Sequence, residues 1–247
     1  MKVYVLGAAG WIPGDNETSS VMVECQDSLF LLDAGTGLSN IKNYRSVLLK
    51  YDTIHIILSH YHLDHTIGII YLDPFVRDKK IKIYGPGKMA YPETTSYYIH
   101  ALLRTEFFSR SIDDFSDDVQ LIDFPAETFY IGKTKVSVKE QQHSSPSFRI
   151  VLDDRLVYAT DTTFDPDTWD KLSGTLLLHE CWDYGHTIND RHTSLWQLKN
   201  QLPLNRFDKV VLIHQNPFWD VGDFESIKKS IAGTNLVLAK DGMQLSI

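Results

Sequence analysis

The sequence predicts an α/β fold in which two β-sheets pack face to face with helices outside: a four-layer αββα sandwich in a single domain over residues 1–247. Strand-like and helix-like segments alternate in both halves of the chain. No repeat, low-complexity tract or long Pro/Gly/Ser linker divides it, and 247 residues suit one large domain. With 43% hydrophobic and 23% charged residues, the composition is that of a globular protein.

The predicted strands of the first third are short apolar or β-branched runs bounded by turn residues, namely Lys2–Leu6, Val21–Cys25, Ser28–Asp33, Thr53–Leu58 and Ile81–Tyr84. Gln26 and Asp27 join the second and third of these in a hairpin. Helical spacing predicts helices over Leu38–Lys50 and over Thr66–Leu72, the latter ended by Pro74. An aromatic-rich helix is expected over Pro92–Arg110.

Successive strands dominate the second half. They are predicted at Val119–Phe124, Thr128–Ile131, Thr134–Gln141, Ser147–Leu152, Arg155–Thr160, Thr175–His179 and Lys209–Ile213, followed by two short strands at the end of the chain. Asp153 and Asp154 form a tight turn between two of them. Helices are predicted at Asp165–Leu172, Thr193–Asn200 and Asp223–Ile231.

Net charge and cysteine content exclude several classes of protein. The formal charge of −8 argues against a broad nucleic-acid surface, because phosphate backbones attract faces rich in Lys and Arg. Cys25 and Cys181 cannot build a disulfide framework or a Cys-only metal site, which favours a reducing, cytoplasmic location. No apolar run reaches the roughly 18 residues of a membrane-spanning helix. Met1–Gly10 is interpreted as a strand entering a Gly-rich loop rather than as a signal peptide.

The strongest chemical signal is the run from Ser59 to His65, Ser-His-Tyr-His-Leu-Asp-His, directly after a predicted buried strand. Three imidazoles and a carboxylate this close together suit a borderline metal ion such as zinc. His60 and His62 point the same way if strand alternation continues, whereas Asp64 and His65 turn into the following loop. The run is therefore expected to supply two metal ions; the alternative is a solvated His-rich loop.

Three further candidate ligands follow other predicted strands: His143, Asp161 and His214. Each alone could be merely structural, but their shared position at the carboxyl ends of apolar strands strengthens all three. A centre of two metal ions with a bridging carboxylate needs about seven ligands. The sequence offers that set as His60, His62, Asp64, His65, His143, Asp161 and His214.

The His60–His65 run resembles the HxHxDH signature of the metallo-β-lactamase superfamily, which includes lactamases, thioesterases, lactonases and phosphodiesterases. Other stretches resemble its tRNase Z branch, namely Leu6–Gly10 with Pro13, Leu32–Gly35 with Gly37, Ile83–Pro86, Leu178–Glu180 with His192–Ser194, and Ala239–Met243. The resemblance covers nearly the whole chain. It implies the αββα fold and a dinuclear site, usually with two zinc ions and sometimes with manganese.

The chain departs from that branch at two places. His179 and Glu180 are followed by Cys181 and Trp182 rather than by Ala-Thr. In bacterial tRNase Z a long arm that clamps tRNA separates the ligands matching His143 and Asp161, but here these residues are only 18 positions apart, enough for two strands and a turn. The chain is thus similar to armless members of the branch, the anti-Pycsar cyclic-nucleotide phosphodiesterases of phages and bacteria.

The resemblance and the residues together indicate a mechanism. Two metal ions would activate a bridging water, and the resulting hydroxide would attack phosphorus. Asp64 is expected to bind one ion and orient the nucleophile, and His192 to protonate the departing ribose oxygen as general acid. Glu180 would hold the His192 imidazole in the required tautomer. Asp33 is a candidate hydrogen-bond acceptor for a ligand histidine. The alternative for His192 is a structural position beside the helix cap that follows it.

The resulting hypothesis is a metal-dependent phosphodiesterase that converts small 3′,5′-cyclic nucleotides to nucleoside monophosphates and thereby counteracts cyclic-nucleotide immune signalling. One alternative is a tRNA 3′-end endonuclease, which would make RNA a partner. Another is a lactonase or thioesterase, against which Glu180 and His192 argue. A non-enzymatic metal-binding protein is disfavoured by the full set of candidate ligands.

The resemblance also implies a homodimer. The aromatic stretch Tyr97–Phe108 could bury such an interface, stack on a base or pack into the core. No membrane partner is expected.

Overall fold

Two seven-stranded sheets pack face to face in a computed structural model that describes residues 1–166, 172–186 and 190–247. In these residues the strands are β1 (Lys2–Gly7), β2 (Ser20–Cys25), β3 (Ser28–Leu32), β4 (Thr53–Ile57), β5 (Lys80–Gly85), β6 (Asp118–Asp123), β7 (Thr128–Ile131), β8 (Thr134–Gln141), β9 (Ser147–Leu152), β10 (Leu156–Ala159), β11 (Gly174–Glu180), β12 (Phe207–Ile213), β13 (Leu236–Leu238) and β14 (Gln244–Ser246). The predicted strands are all present, with ends that differ by one or two residues.

The first sheet has the strand order β14-β1-β2-β3-β4-β5-β6. Neighbouring strands are antiparallel from β14 through β1 and β2 to β3, and they are parallel from β3 to β6. The predicted hairpin around Gln26 and Asp27 is confirmed, because Cys25 pairs with Ser28. Parallel strands covered on both faces consist almost wholly of apolar residues, as β3 and β4 do.

The second sheet has the order β13-β12-β11-β10-β9-β8-β7. Neighbouring strands are antiparallel from β7 to β10, and they are parallel from β10 to β13. Asp153 and Asp154 close the β9–β10 hairpin with φ values of 51° and 54°. They are the central residues of a turn in which the N–H of Arg155 donates to the carbonyl of Leu152 at 3.0 Å, and Leu152 pairs with Leu156 across a connection of three residues. Aspartate tolerates positive φ better than most residues.

Short helices cover the outer faces of the sheets. The α-helices of the described residues are α1 (Arg45–Leu48), α2 (Thr95–Leu102), α3 (Leu195–Asn200) and α4 (Val221–Ile231). The 3₁₀ helices are Thr36–Tyr44, Leu63–His65, Ile67–Phe75, Gly87–Met89, Ile112–Asp114 and Leu204–Arg206. Capping boxes at Ser194 and Asp220 satisfy the first backbone N–H groups of α3 and α4. None of the described helices is long and apolar enough to cross a membrane.

Three clusters of buried apolar side chains hold the layers together. The cluster between the sheets includes Val5, Phe30, Ile57, Ile150, Tyr158 and Val211. A second covers the outer face of the first sheet with Leu31, Ile56, Leu38, Ile41 and Ile69. A third covers the outer face of the second sheet with Leu177, Leu212, Leu198 and Ile227. The predicted four-layer αββα sandwich is confirmed.

Two predicted helices differ clearly from expectation, and the outcome for a third is not described. Helix α2 covers only Thr95–Leu102 of the predicted Pro92–Arg110, because Thr94 caps its start and residues 104–108 form a separate turn on the carbonyl of Arg104. Pro74 lies inside the 3₁₀ helix Ile67–Phe75 rather than ending it. It occupies the last turn, close to where the helix ends. The predicted helix Asp165–Leu172 falls largely outside the described residues.

Candidate metal centre

The His-rich run after β4 lies at the edge of the sandwich, where the strand gives way to the short 3₁₀ helix Leu63–His65. His60 and His65 are fully buried. The ring centroid of His60 lies 4.4 Å from those of both His62 and His65. The turn thus gathers three imidazoles that an extended strand would have kept apart.

Asp33, which follows β3 with φ 56°, fixes the orientation of two of these imidazoles. Nδ1 of His65 lies 2.7 Å from Oδ2 of Asp33 and is the donor, because a carboxylate can only accept. The Ser59 hydroxyl donates to the same Oδ2 at 2.7 Å and therefore accepts from His60 Nδ1 at 2.9 Å. In both histidines Nδ1 is thus occupied, and Nε2 is the nitrogen left to face the centre. The buried His60 Nε2 has no hydrogen-bond partner among the described residues, as expected of a metal ligand.

His62 and His143 approach from the other side of His60. The His143 ring lies 5.4 Å from that of His62, and its Nδ1 donates to the carbonyl oxygen of Arg191 at 2.9 Å. This bond leaves His143 Nε2 to face Asp161, whose Oδ1 is 3.3 Å away. The Nε2 atom of His62 lies 3.0 Å from the Ser145 hydroxyl.

Asp161, which follows β10, lies between two groups of histidines. Its Oδ2 is 2.8 Å from Nε2 of His65 and 3.1 Å from Nε2 of His214, whereas its Oδ1 faces His143. A carboxylate whose two oxygens face different imidazole groups is suited to bridging two cations. Asp161 and His214 have positive φ values of 48° and 46°, a conformation that Asp and His adopt more readily than most residues.

His214 follows β12 and packs against the loop after β1. Its Nε2 lies 3.4 Å from Oδ2 of Asp64, which in turn accepts from the backbone N–H of Trp11 at 2.7 Å. A Cβ atom at Gly10 would lie only 2.3 Å from Cε1 of His214. The absence of a side chain at Gly10 is therefore what lets this loop lie directly against the imidazole.

All seven sequence-predicted ligands come together, in two groups. The candidate ligand atoms of each group lie within 4.8 Å of one another, the first group being His60, His62, His143 and Asp161 and the second Asp64, His65 and His214. Asp161 also contacts the second group through its Oδ2.

The electrostatics of the centre favour a bound positive charge. Burial lowers the pKa of His65, but the carboxylates of Asp64, Asp161 and Asp33 outweigh it and raise that pKa well above its usual value. Burial and the neighbouring His65 lower the pKa of His60, so this imidazole is neutral and able to ligate. A borderline divalent cation fits this mixture of neutral imidazoles and carboxylates.

His192 and Glu180 form a pair beside the two groups. Nδ1 of His192 lies 2.8 Å from Oε2 of Glu180, which is fully buried at the end of β11, and the backbone N–H of Thr162 donates to Oε1. Burial and Asp161 raise the pKa of Glu180, whereas burial lowers that of His192. Burial therefore disfavours the charged form of both side chains. Trp182 stacks on His192 with ring centroids 4.7 Å apart.

A cavity of about 280 Å³ opens directly onto these groups. It is lined by Trp11, His62, Asp64, His143, Ser144, Asp161, Trp182, Arg191, His192 and His214. The side chain of His192 keeps 14% of its surface exposed, so it can reach a molecule in the cavity. A site of this kind can hold a small anion against metal ions while presenting a proton donor to it.

Sequence reasoning missed several residues that shape the site. Tyr158 of β10 donates its hydroxyl to Oδ2 of Asp33 at 2.8 Å. Its signal was a tyrosine inside an otherwise apolar strand, because a buried phenol needs a partner. Ser59, Trp182 and Trp11 had no such signal, since their contacts depend on how loops distant in sequence meet.

Comparison with known proteins places the chain in a family. The family model described as Anti-Pycsar protein Apyc1 matches residues 1–232. A ribonuclease Z from Methanopyrus kandleri is 27% identical over 150 residues, a match that covers 58% of this chain but only 46% of that protein's length.

Solved structures show the same fold over the whole chain. The metallo-β-lactamase fold protein YhfI from Bacillus subtilis superposes with a TM-score of 0.72 and 21% identity, over 99% of this chain and 98% of that one. Human tRNase Z, short form, gives a TM-score of 0.71 and 20% identity, over 100% and 99%. These structures show that the chain has the metallo-β-lactamase fold. The chain belongs to the family of the anti-Pycsar protein Apyc1.

Proposed function

We propose that the protein is a dinuclear metal-dependent phosphodiesterase that hydrolyses 3′,5′-cyclic nucleotides to nucleoside monophosphates. The observation that supports this most directly is the His192–Glu180 pair, which faces two groups of metal-ligand side chains across one small cavity. Phosphodiester hydrolysis needs charge neutralisation at phosphorus and a proton for the leaving oxygen, and the two features supply one each.

Two divalent cations, zinc or manganese, are proposed to be held by seven side chains. His60, His62 and His143 would ligate one, Asp64, His65 and His214 the other, and Asp161 both. Bound there, the cations would polarise the phosphoryl oxygens and lower the pKa of a bound water. Asp64 would ligate through Oδ2 and help to orient the attacking water, while the Trp11 N–H bond keeps the carboxylate in place.

His192 is proposed as the general acid. Because its Nδ1 is engaged with Glu180, its Nε2 is the atom that can donate a proton to the departing ribose oxygen. Glu180 would fix the ring through its Nδ1, and Trp182 would keep the ring from tilting out of the site. These contacts make His192 more than a neighbour of the α3 cap.

A small substrate is favoured over a large one by the short connection between His143 and Asp161. That connection consists of β9, a three-residue turn and β10, with short links to His143 and Asp161, which leaves no protruding segment to grip RNA. The net charge of −8 also disfavours a polyanion. A tRNA 3′-end endonuclease remains the second candidate because the Methanopyrus relative is a ribonuclease Z. A lactonase or thioesterase is less favoured, since neither reaction requires the His192–Glu180 pair.

One panel of substrates tests the proposal. Purified protein loaded with zinc or manganese is offered 3′,5′-cyclic nucleotides, a tRNA precursor, bis(p-nitrophenyl) phosphate and a homoserine lactone, each with and without chelator. We expect chelator-sensitive hydrolysis of the cyclic nucleotides. Turnover of the tRNA precursor without turnover of cyclic nucleotides would favour the second candidate, and turnover of the lactone alone would reject both.

The family description leads us to propose two wider properties. The first is that residues 1–247 act as one catalytic domain in the cytoplasm, where hydrolysis of cyclic nucleotides would counteract an immune signal. The second is a homodimer. Tyr97 and Phe107 are 57% and 80% exposed near α2, an apolar surface that a second copy could cover. Sedimentation of a monomer at micromolar concentration would contradict the dimer.

A further inference from the structure

Two large aromatic side chains stand exposed beside the metal centre. Trp11 keeps 58% and Phe218 66% of its surface accessible, and their rings meet edge to face with centroids 5.6 Å apart. Trp11 lines the same cavity as Asp64, Asp161 and His214. Exposed apolar residues that touch one another next to a candidate active site offer a binding surface rather than core packing.

The backbone at Trp11 is strained. Trp11 has φ 61°, and the N–H of Ile12 donates back to the carbonyl of Gly10 at 2.8 Å, so Trp11 is the central residue of a γ-turn. A bulky residue in the left-handed region costs about 1–2 kcal/mol, which glycine would avoid. A strained, exposed tryptophan at the edge of a cavity points to a functional role.

Backbone hydrogen bonds hold the main chain at Trp11 and Phe218 in place. The Trp11 N–H donates to Asp64, and the Gly10 N–H donates to the carbonyl of Gln215 at 2.9 Å, which ties this loop to the residues after β12. Phe218 is held by its own N–H, which donates to Oδ1 of Asn216 at 3.0 Å. A binding surface whose position is fixed in advance loses little entropy when a ligand stacks on it.

We propose that Trp11 and Phe218 form a stacking platform for the planar base of the substrate. This inference rests on the proposed function and adds to it the residues that recognise the nucleobase. With the phosphate at the His/Asp cluster, a base leaving the cavity on the Trp11 side meets the indole face. Stacking on an aromatic side chain strengthens nucleotide binding substantially, and it requires a ring on the ligand.

The test compares two probes that carry the same phosphate. Adenosine 5′-monophosphate and ribose 5-phosphate are titrated against the metal-loaded protein, as the wild type and as Trp11→Leu, Trp11→Phe and Phe218→Leu. Tyr130→Leu is the matched control, because Tyr130 is another exposed aromatic residue but lies outside the cavity. Competition against cyclic-nucleotide turnover, or calorimetry where turnover is absent, gives the affinities. Indole fluorescence gives an independent signal.

We expect the wild type to prefer the nucleotide over ribose 5-phosphate by about tenfold or more. Trp11→Leu should lose most of this preference and Phe218→Leu part of it. Trp11→Phe should retain most of it, but without the quenching of Trp11 fluorescence that nucleotide binding causes in the wild type. The ratio of kcat/KM for a cyclic nucleotide to that for a base-free phosphodiester should fall in parallel. Tyr130→Leu should behave as the wild type.

Two results would overturn the inference: equal or undetectable binding of both probes by the wild type, or an unchanged preference in both Trp11→Leu and Phe218→Leu. Its failure is distinguishable from failure of the proposed function. Hydrolysis of cyclic nucleotides with a preference independent of Trp11 rejects the platform alone. A Trp11-dependent preference without such hydrolysis supports the platform and rejects the proposed reaction.

Discussion

The hydroxyl of Tyr158, in the second sheet, donates to Oδ2 of Asp33, in the first sheet, at 2.8 Å. Both residues are fully buried, and the same Oδ2 accepts from Nδ1 of His65. The packing of the two sheets and the orientation of a candidate metal ligand therefore depend on one carboxylate. The consequence is that stability and metal affinity should change together when this contact is altered.

Replacing Tyr158 by Phe removes the hydroxyl and keeps the ring. We expect the free energy of unfolding to fall by about 1–2 kcal/mol, because one buried hydrogen bond to a charged group is lost. We also expect zinc affinity to fall severalfold, because His65 is held less firmly. Urea denaturation and a competitive chelator titration measure the two effects. Tyr130→Phe, which changes an exposed tyrosine of β7, is the control. An unchanged zinc affinity in Tyr158→Phe would show that the Tyr158–Asp33 hydrogen bond does not affect the metal centre.

Gly10→Ala should damage the metal centre without altering any candidate ligand. The added Cβ would lie 2.3 Å from Cε1 and 2.6 Å from Nε2 of His214, a distance at which the ring must move. Since His214 Nε2 lies between Asp64 and Asp161, its displacement should lower zinc affinity by at least about tenfold. Zinc content after dialysis against a weak chelator measures this.

Gly14→Ala is the control for that substitution. Its Cβ would meet its nearest neighbour, the Pro217 carbonyl oxygen, at 3.2 Å, which a small shift relieves. Normal zinc retention in Gly10→Ala would mean that the loop after β1 moves and that the His214 imidazole stays in place.

His192→Ala should remove the proton donor. We expect kcat for a cyclic nucleotide to fall about 10²- to 10⁴-fold. The loss should be smaller with bis(p-nitrophenyl) phosphate, because p-nitrophenolate leaves without needing a proton. This dependence on the leaving group separates a general acid from a structural residue.

His100→Ala provides the comparison, since His100 pairs with Asp113 on the surface at 2.9 Å and does not line the cavity. An equal loss in His192→Ala with both substrates would contradict proton donation and indicate that His192 only supports the site.

The sequence was informative where structure depends on local pattern. Strands such as Thr53–Ile57 are short runs rich in β-branched and apolar residues, and the candidate ligands lie beyond the carboxyl ends of such strands, so their convergence could be expected from the sequence. Helix extents were less predictable. The aromatic residues after Leu102 kept a helical spacing, but the structure ends α2 there and forms a new turn on Arg104.

The contacts that refine the site are of a different kind. Trp11 reaches Asp64 across 53 positions, and Tyr158 reaches Asp33 across 125. Such pairs arise only when two sheets and two loops are already packed. In addition, the positive φ of Trp11 belongs to a residue type that seldom adopts it, so no propensity could have indicated the turn.

His55 should make the stability of the fold depend on pH. Its ring lies on the inner face of β4, between Phe30 at 5.6 Å and Tyr84 at 6.1 Å. Burial, with a smaller effect of Lys82, lowers the pKa of His55 to about 4. In the unfolded chain a histidine has a pKa of about 6.5. Between these values the unfolded chain binds the proton and the folded protein does not. The contribution of His55 to the stability of the fold is therefore complete above about pH 6.5 and is lost as the pH falls toward 4.

His55→Phe keeps an aromatic ring at this position and removes the titration. Urea denaturation of both proteins, free of metal, between pH 7.5 and 5 measures the difference in unfolding free energy at each pH. That difference should shift by about 2 kcal/mol in favour of the variant as the pH falls to 5, because 1.36 kcal/mol accompanies each unit of pKa difference that is titrated. Taking the difference cancels the titration of the other histidines, which both proteins share. Parallel stability curves would mean that His55 takes up its proton inside the fold, with the ring turning toward solvent to do so.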